Sequence, residues 1–528
     1  MGAHLTRRWL LGAAAATAGT AVLAACGAEG ATVAPTAAAR PATTQIPGGT
    51  GGQTPAPATL ASGTGGQTPA PAATSAATAA PAATTAGGAM ATGNATTAAP
   101  APSVAAAAAG MTPLNAPNPN VRGAVRYWQA TYDDPTLPSA KFHAQWSESV
   151  KTTLPNVMFK EEQYSYNDML DKLRVAIRAG QGPDMSVIPI LWGSEFAYSN
   201  QLQEIVLADF GYKPEMFWPG ALKSVTVNGK LYGIPSRNET HAFIWNKEIF
   251  SKAGLDPEKP PQTWEEVKTF SKQIKDKTGK AGYGLVAKLN AGDIPFRYMP
   301  LTWAHGGSAL DETADAPTYQ KSGFDSEGNI AALQWVYDVF VRDGSAPMSA
   351  ITNTGVENQN LLLSGEIGMM SGHPSTYAVF KTKAPDVAEK LGYTLMPRGP
   401  VRRAVTFGGW NVVIFKGAKD MDAVKAVVKD FTSPIWSLRH AYEGSNPGNR
   451  DGFNLPEQQT RFSEIKYLNV TTEMLQYGIS FPTVPEASDI MNLVVPQMMQ
   501  DVMTKAKTPQ QAGQDAAKKV NDMLAKRR

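Results

Sequence analysis

One cysteine, Cys26, occurs in 528 residues. No disulfide can form within the chain, so stability has to come from burial of apolar surface. Charge of one sign is also missing: 48 basic residues face 45 acidic ones, a formal net charge of +3. Loss of Arg7 and Arg8 with a cleaved N-terminus would leave +1, and such balance gives no reason to expect nucleic acid or an anionic membrane surface as a partner. Short catalytic signatures are absent. None of the six histidines opens an H-E-x-x-H, no serine sits in G-x-S-x-G, no G-x-x-x-x-G-K occurs, and one cysteine cannot make C-x-x-C. Nothing here asks for a metal or a cofactor, and an enzyme becomes the lesser reading. A glycosidase stays open, because its two carboxylates leave no short motif.

What is present starts with a processing signal. Thr6-Arg7-Arg8-Trp9-Leu10-Leu11 resembles the twin-arginine export motif, and an Ala-rich apolar region runs to Ala25. Trp9 to Ala25 falls short of the ~20 residues a membrane span needs. Leu23-Ala24-Ala25-Cys26 is similar to the lipobox of bacterial lipoproteins. That resemblance implies a signal peptide over residues 1–25 and a lipid on Cys26. A short membrane anchor or an incidental buried cysteine are the alternatives.

Residues 26–120 are made largely of Ala, Thr, Pro and Gly, with Glu29 and Arg40 the only charges, and the decamer GTGGQTPAPA occurs at Gly49–Ala58 and Gly63–Ala72. Such sequence cannot bury enough apolar surface to offset ordering, which predicts a disordered linker with a reach on the order of 50 Å. A glycosylated stalk fits the composition as well. The Asn94-Ala95-Thr96 sequon is a triplet expected by chance in sequence this rich in Thr.

From Val121 the composition is that of a globular domain, and roughly 400 residues are too many for one core, so two lobes are expected. Val121–Trp128 alternates as a strand. Asn167–Gly180 carries Leu170, Leu173 and Ile177 on one helical face, and Met185–Ile190 is an apolar run of the kind a strand shows when both faces are covered. Thr263 and Glu266 form a capping box before Val267, Phe270 and Ile274. Ile330, Leu333, Tyr337 and Phe340 make another helical face, Ile367–Met370 and Asn411–Phe415 read as short buried strands, Asp420–Phe431 as a helix, and Thr508-Pro509 starts a final one. Alternation of this kind is α/β.

The most informative stretch is Asn228–Leu255. Asn228-Gly229 is the pair a type I′ hairpin turn requires. Pro235 cannot donate to a ladder, so the second strand is expected to stop there. The polar Ser236, Arg237, Asn238 and Glu239 follow, the apolar run resumes at Ala242–Trp245, and Asn246 caps a helix over 247–253 that Gly254 ends.

The string G-K-L-Y-G-I-P-x(9)-W-N-K-E-I-F-S-K-A-G-L, followed by P-x-T-W-E-E at Pro261–Glu266, resembles the inter-lobe segment of the extracellular solute-binding proteins of ABC transporters, in their maltose-binding-protein-like sugar family. The resemblance implies a two-lobed, type II periplasmic-binding-protein-like fold with a hinge and an interlobe cleft. It places lobe 1 at 121–235 with 400–445, and lobe 2 at 236–399 with 446–528. It further implies that Glu239 contacts the ligand, with Arg237 beside it.

A sugar offers an apolar face and a rim of hydroxyls, so its site needs aromatic plates and planar polar groups. Trp128 and Trp192 follow strands whose carboxyl ends border the cleft of an open α/β sheet. Trp410, in Gly408-Gly409-Trp410-Asn411, is expected to precede its strand, and the family's Gly-Gly-Trp-like turn supplies its claim. A core tryptophan is the plain alternative for each. Pro295–Pro300 running into Trp303–Gly307 resembles the family segment with a stacking tyrosine, where this chain has Phe296. Ser371-Gly372-His373-Pro374 stands where the family has Gly-Pro-Trp, so His373 is a candidate contact or the pocket is smaller there. Phe481–Pro485 resembles the approach to a further stacking Trp, but Met491 occupies that place. The two lost plates argue against maltodextrin. Asn454, in Arg450–Asn454, is a candidate late hinge contact.

These features imply a monomeric, lipid-anchored substrate-binding protein on the extracytoplasmic face of the cell membrane. It would capture a mono- or oligosaccharide, or a related polyhydroxylated solute, for ABC permease subunits. A surface-anchored carbohydrate-active enzyme, and a sensor that keeps the fold without transport, are the alternatives.

Overall fold

The structure, a computed structural model, describes residues 115–131, 138–311 and 319–526; the export signal, Cys26 and the linker lie outside them. In chain order the strands are β1 (Gly123–Thr131), β2 (Val157–Ser165), β3 (Met185–Pro189), β4 (Thr226–Val227), β5 (Lys230–Leu231), β6 (Ile234–Glu239), β7 (Ala242–Asn246), β8 (Ala281–Tyr283), β9 (Ile367–Gly372), β10 (Leu391–Thr394), β11 (Val405–Thr406), β12 (Gly408–Ile414), β13 (Asn446–Pro447) and β14 (Gly478–Ile479). They build a six-stranded sheet in the order β13-β6-β12-β3-β1-β2 and a four-stranded sheet in the order β10-β7-β9-β8.

Local chemistry sets many of these elements. Asn228 and Gly229 hold φ of 50° and 77°, the left-handed pair that turns β4 back onto β5. The Asn246 side chain accepts from the Glu248 and Ile249 amides and starts the helix Lys247–Lys252. Thr263 and Glu266 exchange hydrogen bonds at the head of Trp264–Thr278, and Thr508 with Gln511 does the same for Pro509–Ala525. β1 pairs parallel with β2 and β3, and the helix Tyr166–Arg178 connects β2 to β3 in a βαβ unit. The helix Pro138–Thr153 and the edge strand β2 stand in the chain between β1 and the helix Tyr166–Arg178. Neither was anticipated, because β2 alternates only weakly and is half-exposed along its length.

Two expectations change. Pro235 does not end its strand: β6 runs on to Glu239, and its register against β12 slips between Trp410 and Asn411 so that Ser236 is the extra residue of a bulge. A proline is tolerated at such a break in the ladder. The passage from the larger sheet to the smaller is therefore Thr240-His241, which begins five residues after Pro235. The segment at Asn446 likewise joins the larger sheet, as β13 against β6. Second, Trp410 does not precede its strand but is the third residue of β12. Because β12 runs antiparallel to β3, with Trp410 opposite Pro189, its beginning lies at the carboxyl end of the parallel strands. Trp410 thus reaches the same edge as Trp128 and Trp192 by reversal of the chain.

The polar run of β6 is buried at every position because its side chains find partners. Ser236 Oγ donates to the Trp410 carbonyl at 2.8 Å, and Asn238 Nδ2 donates to the Pro447 carbonyl at 3.0 Å. Gly408 and Gly409 face this run. Gly409 has φ of 136°, and a Cβ there would come within 2.2 Å of the Arg237 carbonyl oxygen.

On one flank of the larger sheet the helices Pro138–Thr153 and Pro434–His440 meet through rings: Phe142 stacks on His440 at 4.8 Å, and His143 lies 5.8 Å from His440. Burial, reinforced by the charge of Arg237, lowers the His143 pKa to about 3 and pushes that of His440 well below the usual value. Both imidazoles are neutral in the folded chain.

Gly409→Ala is expected to lower the unfolding free energy by at least about 2 kcal/mol in urea titration, since both φ and the facing carbonyl oppose a side chain; a loss under about 0.5 kcal/mol would contradict this close approach. Stability should also depend on acid. A histidine whose folded pKa is depressed contributes stability that is complete above its unfolded value near 6.5 and is lost as pH falls toward the folded value. Each buried neutral imidazole should therefore remove up to about 1.4 kcal/mol per pH unit below 6.5. Asp430, whose pKa burial raises, works in the opposite direction. The urea midpoint is expected to fall between pH 7 and pH 4.5; equal midpoints would mean that these rings are not buried as described.

Candidate functional site

The candidate site forms where β3 and β6 end and β12 begins, near the passage into the smaller sheet. Trp192, at the head of the helix Gly193–Tyr198 after β3, lies 5.5 Å from the Tyr166 ring. Tyr166 in turn meets Trp410 edge-on at 6.0 Å. Three rings from three elements thus form one group. Trp128 is 6% exposed, and its ring lies 4.6 Å from Tyr164.

Beside this group stands a buried ion pair. Arg237 and Glu239 are two residues apart on β6 and so share a face. Arg237 Nη2 lies 2.9 Å from Glu239 Oε1, and the guanidinium sits over both the Trp410 ring at 5.2 Å and the Tyr442 ring at 4.4 Å. Ser445 Oγ donates to Glu239 Oε1 at 3.4 Å, and His373 Nε2 lies 3.2 Å from Oε2. Burial acts to raise the Glu239 pKa, but the Arg237 charge, His373 and the Ser445 hydroxyl outweigh it and bring the carboxyl down to about 2. The group is a fixed anion. Burial first, then the facing charges of Glu239 and Asp293, raises the Tyr166 phenol to about 12.

His373 follows β9, whose end Gly372 pairs with Ala242 at the start of β7. The Glu239–His373 contact therefore spans the two sheets. Its other nitrogen, Nδ1, lies 2.9 Å from Ser375 Oγ. Phe296, on the helix Ile294–Ala304, packs edge-on against Phe481 at 5.0 Å and lies over His241 at 6.2 Å. It also abuts Gly408, where an added Cβ would meet its ring at 2.9 Å. Below it, Arg297 Nη1 donates to the Ser371 carbonyl at 2.9 Å and Nε pairs with Asp293 at 3.3 Å. Burial, with Arg297 and His373 adding to it, keeps His241 neutral.

Of the residues singled out from the sequence, Trp192, Arg237, Glu239, Phe296, His373 and Trp410 lie in this connected set. Trp128 sits at the same sheet edge, against Tyr164. Asn454 lines a separate surface groove with Glu215, Trp218, Arg450, Phe453 and Thr472. Tyr166, His241, Arg297 and Tyr442 were missed. Tyr166 directly follows β2 and could have been found had that strand been recognised; His241 lies just past the polar run; Arg297 was quoted beside Phe296 without a role; Tyr442, in a short 3-10 turn, carries no pattern.

A family model described as bacterial extracellular solute-binding protein matches residues 154–436. A putative binding protein of Brucella abortus is 25% identical over 411 residues, covering 76% of this chain and 94% of that protein. A maltotriose-binding protein of Pyrococcus abyssi is 26% identical over 291 residues, 54% of this chain and 58% of that protein. Among solved structures, the sugar-binding protein of Xanthomonas citri superposes with a TM-score of 0.66 at 21% identity, over 77% of this chain and 98% of the other. The fold is that of a type II two-lobed binding protein, and the chain belongs to the bacterial extracellular solute-binding protein family.

Proposed function

We propose that the protein captures a sugar or a related polyhydroxylated solute between its two sheets and hands it to the permease of an ABC importer. The observation that carries this reading is the pairing of an ionised, immobilised Glu239 with the ring group Trp192–Tyr166–Trp410. A carboxylate locked by Arg237 and His373 suits hydroxyl donors, and flat rings beside it suit the apolar face of a pyranose. Trp128, Trp192 and Trp410 supply plates from the first lobe. Arg237 and Glu239 supply polar contacts at the crossing, and Phe296 and His373 contacts from the second lobe. The maltotriose-binding relative supports a sugar; the lack of a tryptophan at His373 and at Met491 favours something other than a maltodextrin.

In this reading residues 1–25 are a twin-arginine-type signal peptide. The mature chain is a monomer anchored to the extracytoplasmic face of the membrane by a lipid on Cys26 and held off it by residues 26–120. Lobe 1 extends to Glu239 and takes in Asn446–Pro447; lobe 2 begins at Ala242. Ligand contacts from both lobes bias the population toward a closed form that the permease recognises. The protein binds without turnover. A glycosidase needs a carboxyl kept protonated as general acid, and Glu239, held near pKa 2, is the wrong kind of group for that role.

A thermal-unfolding screen of mono- and oligosaccharides, polyols and glycerol phosphates is expected to give one class that raises the midpoint by several degrees. At ~100 times its Kd a ligand adds about 2.7 kcal/mol. Silence across the panel, from folded protein carrying no co-purified solute, would rule out a sugar-like ligand. Against the compound found, Trp410→Ala should weaken binding by at least about 1.5 kcal/mol in calorimetric titration. Unchanged affinity would remove Trp410 from the site.

A further inference from the structure

Beside Trp410 lies a void of about 10 Å³, lined by Gln129, His143, Val187, Trp410, His440 and Tyr442. That is room for one water-sized group. Gln129 is 1% exposed, on the last turns of β1. Its amide Nε2 donates to Glu161 Oε1 on the neighbouring strand, and this fixes the amide orientation, because the carbonyl end would be repelled by a carboxylate. The Gln129 carbonyl Oε1 is thereby left buried with no hydrogen-bond partner, and so is His440 Nδ1, on a residue also 1% exposed. Residues from different elements that carry two orphaned polar atoms line one void, which is not what an apolar packing defect looks like; such defects are lined by carbon and stay dry.

The chemistry of the missing partner is restricted. Gln129 Oε1 only accepts, so the partner must donate. A cation is disfavoured by the Arg237 guanidinium, which lies over the rings of Trp410 and Tyr442. An anion finds no donor in an amide carbonyl. A neutral oxygen group meets every condition: a hydroxyl donates its one proton to Gln129 Oε1 and accepts from His440 Nδ1 where that nitrogen carries the proton, and a water, with two protons, can instead donate to both.

We infer that Gln129 Oε1 and His440 Nδ1 form a single-hydroxyl subsite beside Trp410, filled by one ordered water or by a hydroxyl of the solute. The subsite makes Gln129 and His440 positioning residues for the Trp410 plate, and it does not require the solute to be a sugar.

The test is a crystal structure of the full chain at about 1.5 Å, without solute and again after soaking with maltose. The expected result is one oxygen within hydrogen-bond distance of both Gln129 Oε1 and His440 Nδ1. Its presence without maltose assigns it to water; its presence only with maltose, as a hydroxyl of the bound sugar, assigns it to solute. A dry or collapsed void in both crystals overturns the subsite. Gln129→Leu should lose the oxygen, and an oxygen that persists there would overturn the role given to Gln129. If that variant does not fold, wild-type protein labelled with 15N-histidine gives the same readout through magnetisation transfer between His440 and a bound hydroxyl, whose absence would again overturn it. An oxygen in the crystal without maltose upholds the subsite even where no sugar binds, so failure of the subsite and failure of the sugar reading are distinguishable.

Discussion

A charge taken out of water must be paired, and much of this structure follows from pairing one carboxylate. Glu239 is buried at the point where the chain leaves the larger sheet. Left alone it would protonate or drive the strand outward. Arg237, two residues earlier on the same face, supplies the opposite charge, and Arg237 then needs its own surroundings, which the Trp410 and Tyr442 rings provide. The strand carrying the pair has to sit against another backbone, and it can do so because Gly408 and Gly409 present no side chain to it. The polar run, the glycine pair and the tryptophan are thus parts of one solution to the same electrostatic problem.

The same carboxylate ties the sheets together. His373 approaches it from the far side, at the end of β9, while Thr240 Oγ1 in the passage itself donates to the Thr471 carbonyl at 2.6 Å. The chain crosses between the two sheets at Thr240-His241 and again between β10 and β12. A group lodged between the ring plates of one lobe and Phe296 of the other would be contacted by both. Contacts of that kind, made more fully in one arrangement than another, are what allow a ligand to shift a conformational equilibrium.

Local sequence signals recovered what depends on near neighbours. The Asn228-Gly229 turn, the Asn246 cap and the Thr263–Glu266 box are each set by a few adjacent atoms, and each forms as expected. The end of β6 was misjudged because proline's lost donor is a local rule, whereas the strand continues on the strength of pairing with β12 and β13, more than 160 residues away. Trp410 was placed before its strand for the same reason: the direction of β12 relative to β3 is a property of topology and leaves no mark on the tetrapeptide around it. β2 escaped notice because an edge strand with one exposed face carries charges that blur its alternation, and Tyr166 went with it. Of the six candidates that lie together, Trp192 is suggested by its place after a strand, and the other five stand in segments that carry the family resemblance. Asn454, offered only as a late hinge contact, lies in a groove of its own.

The account stands or falls on capture of a solute by both lobes at once. The direct measurement is the distance between spin labels on cysteines introduced at Val175 and Met348, 68% and 79% exposed on the larger-sheet and smaller-sheet sides, in protein with Cys26→Ser. Saturation with a compound that raises the unfolding midpoint is predicted to move the distance distribution to a shorter, narrower population, and Glu239→Gln should require more of the compound for the same shift. A distribution that stays unchanged at saturation would contradict the account, because the solute would then be held by one lobe alone.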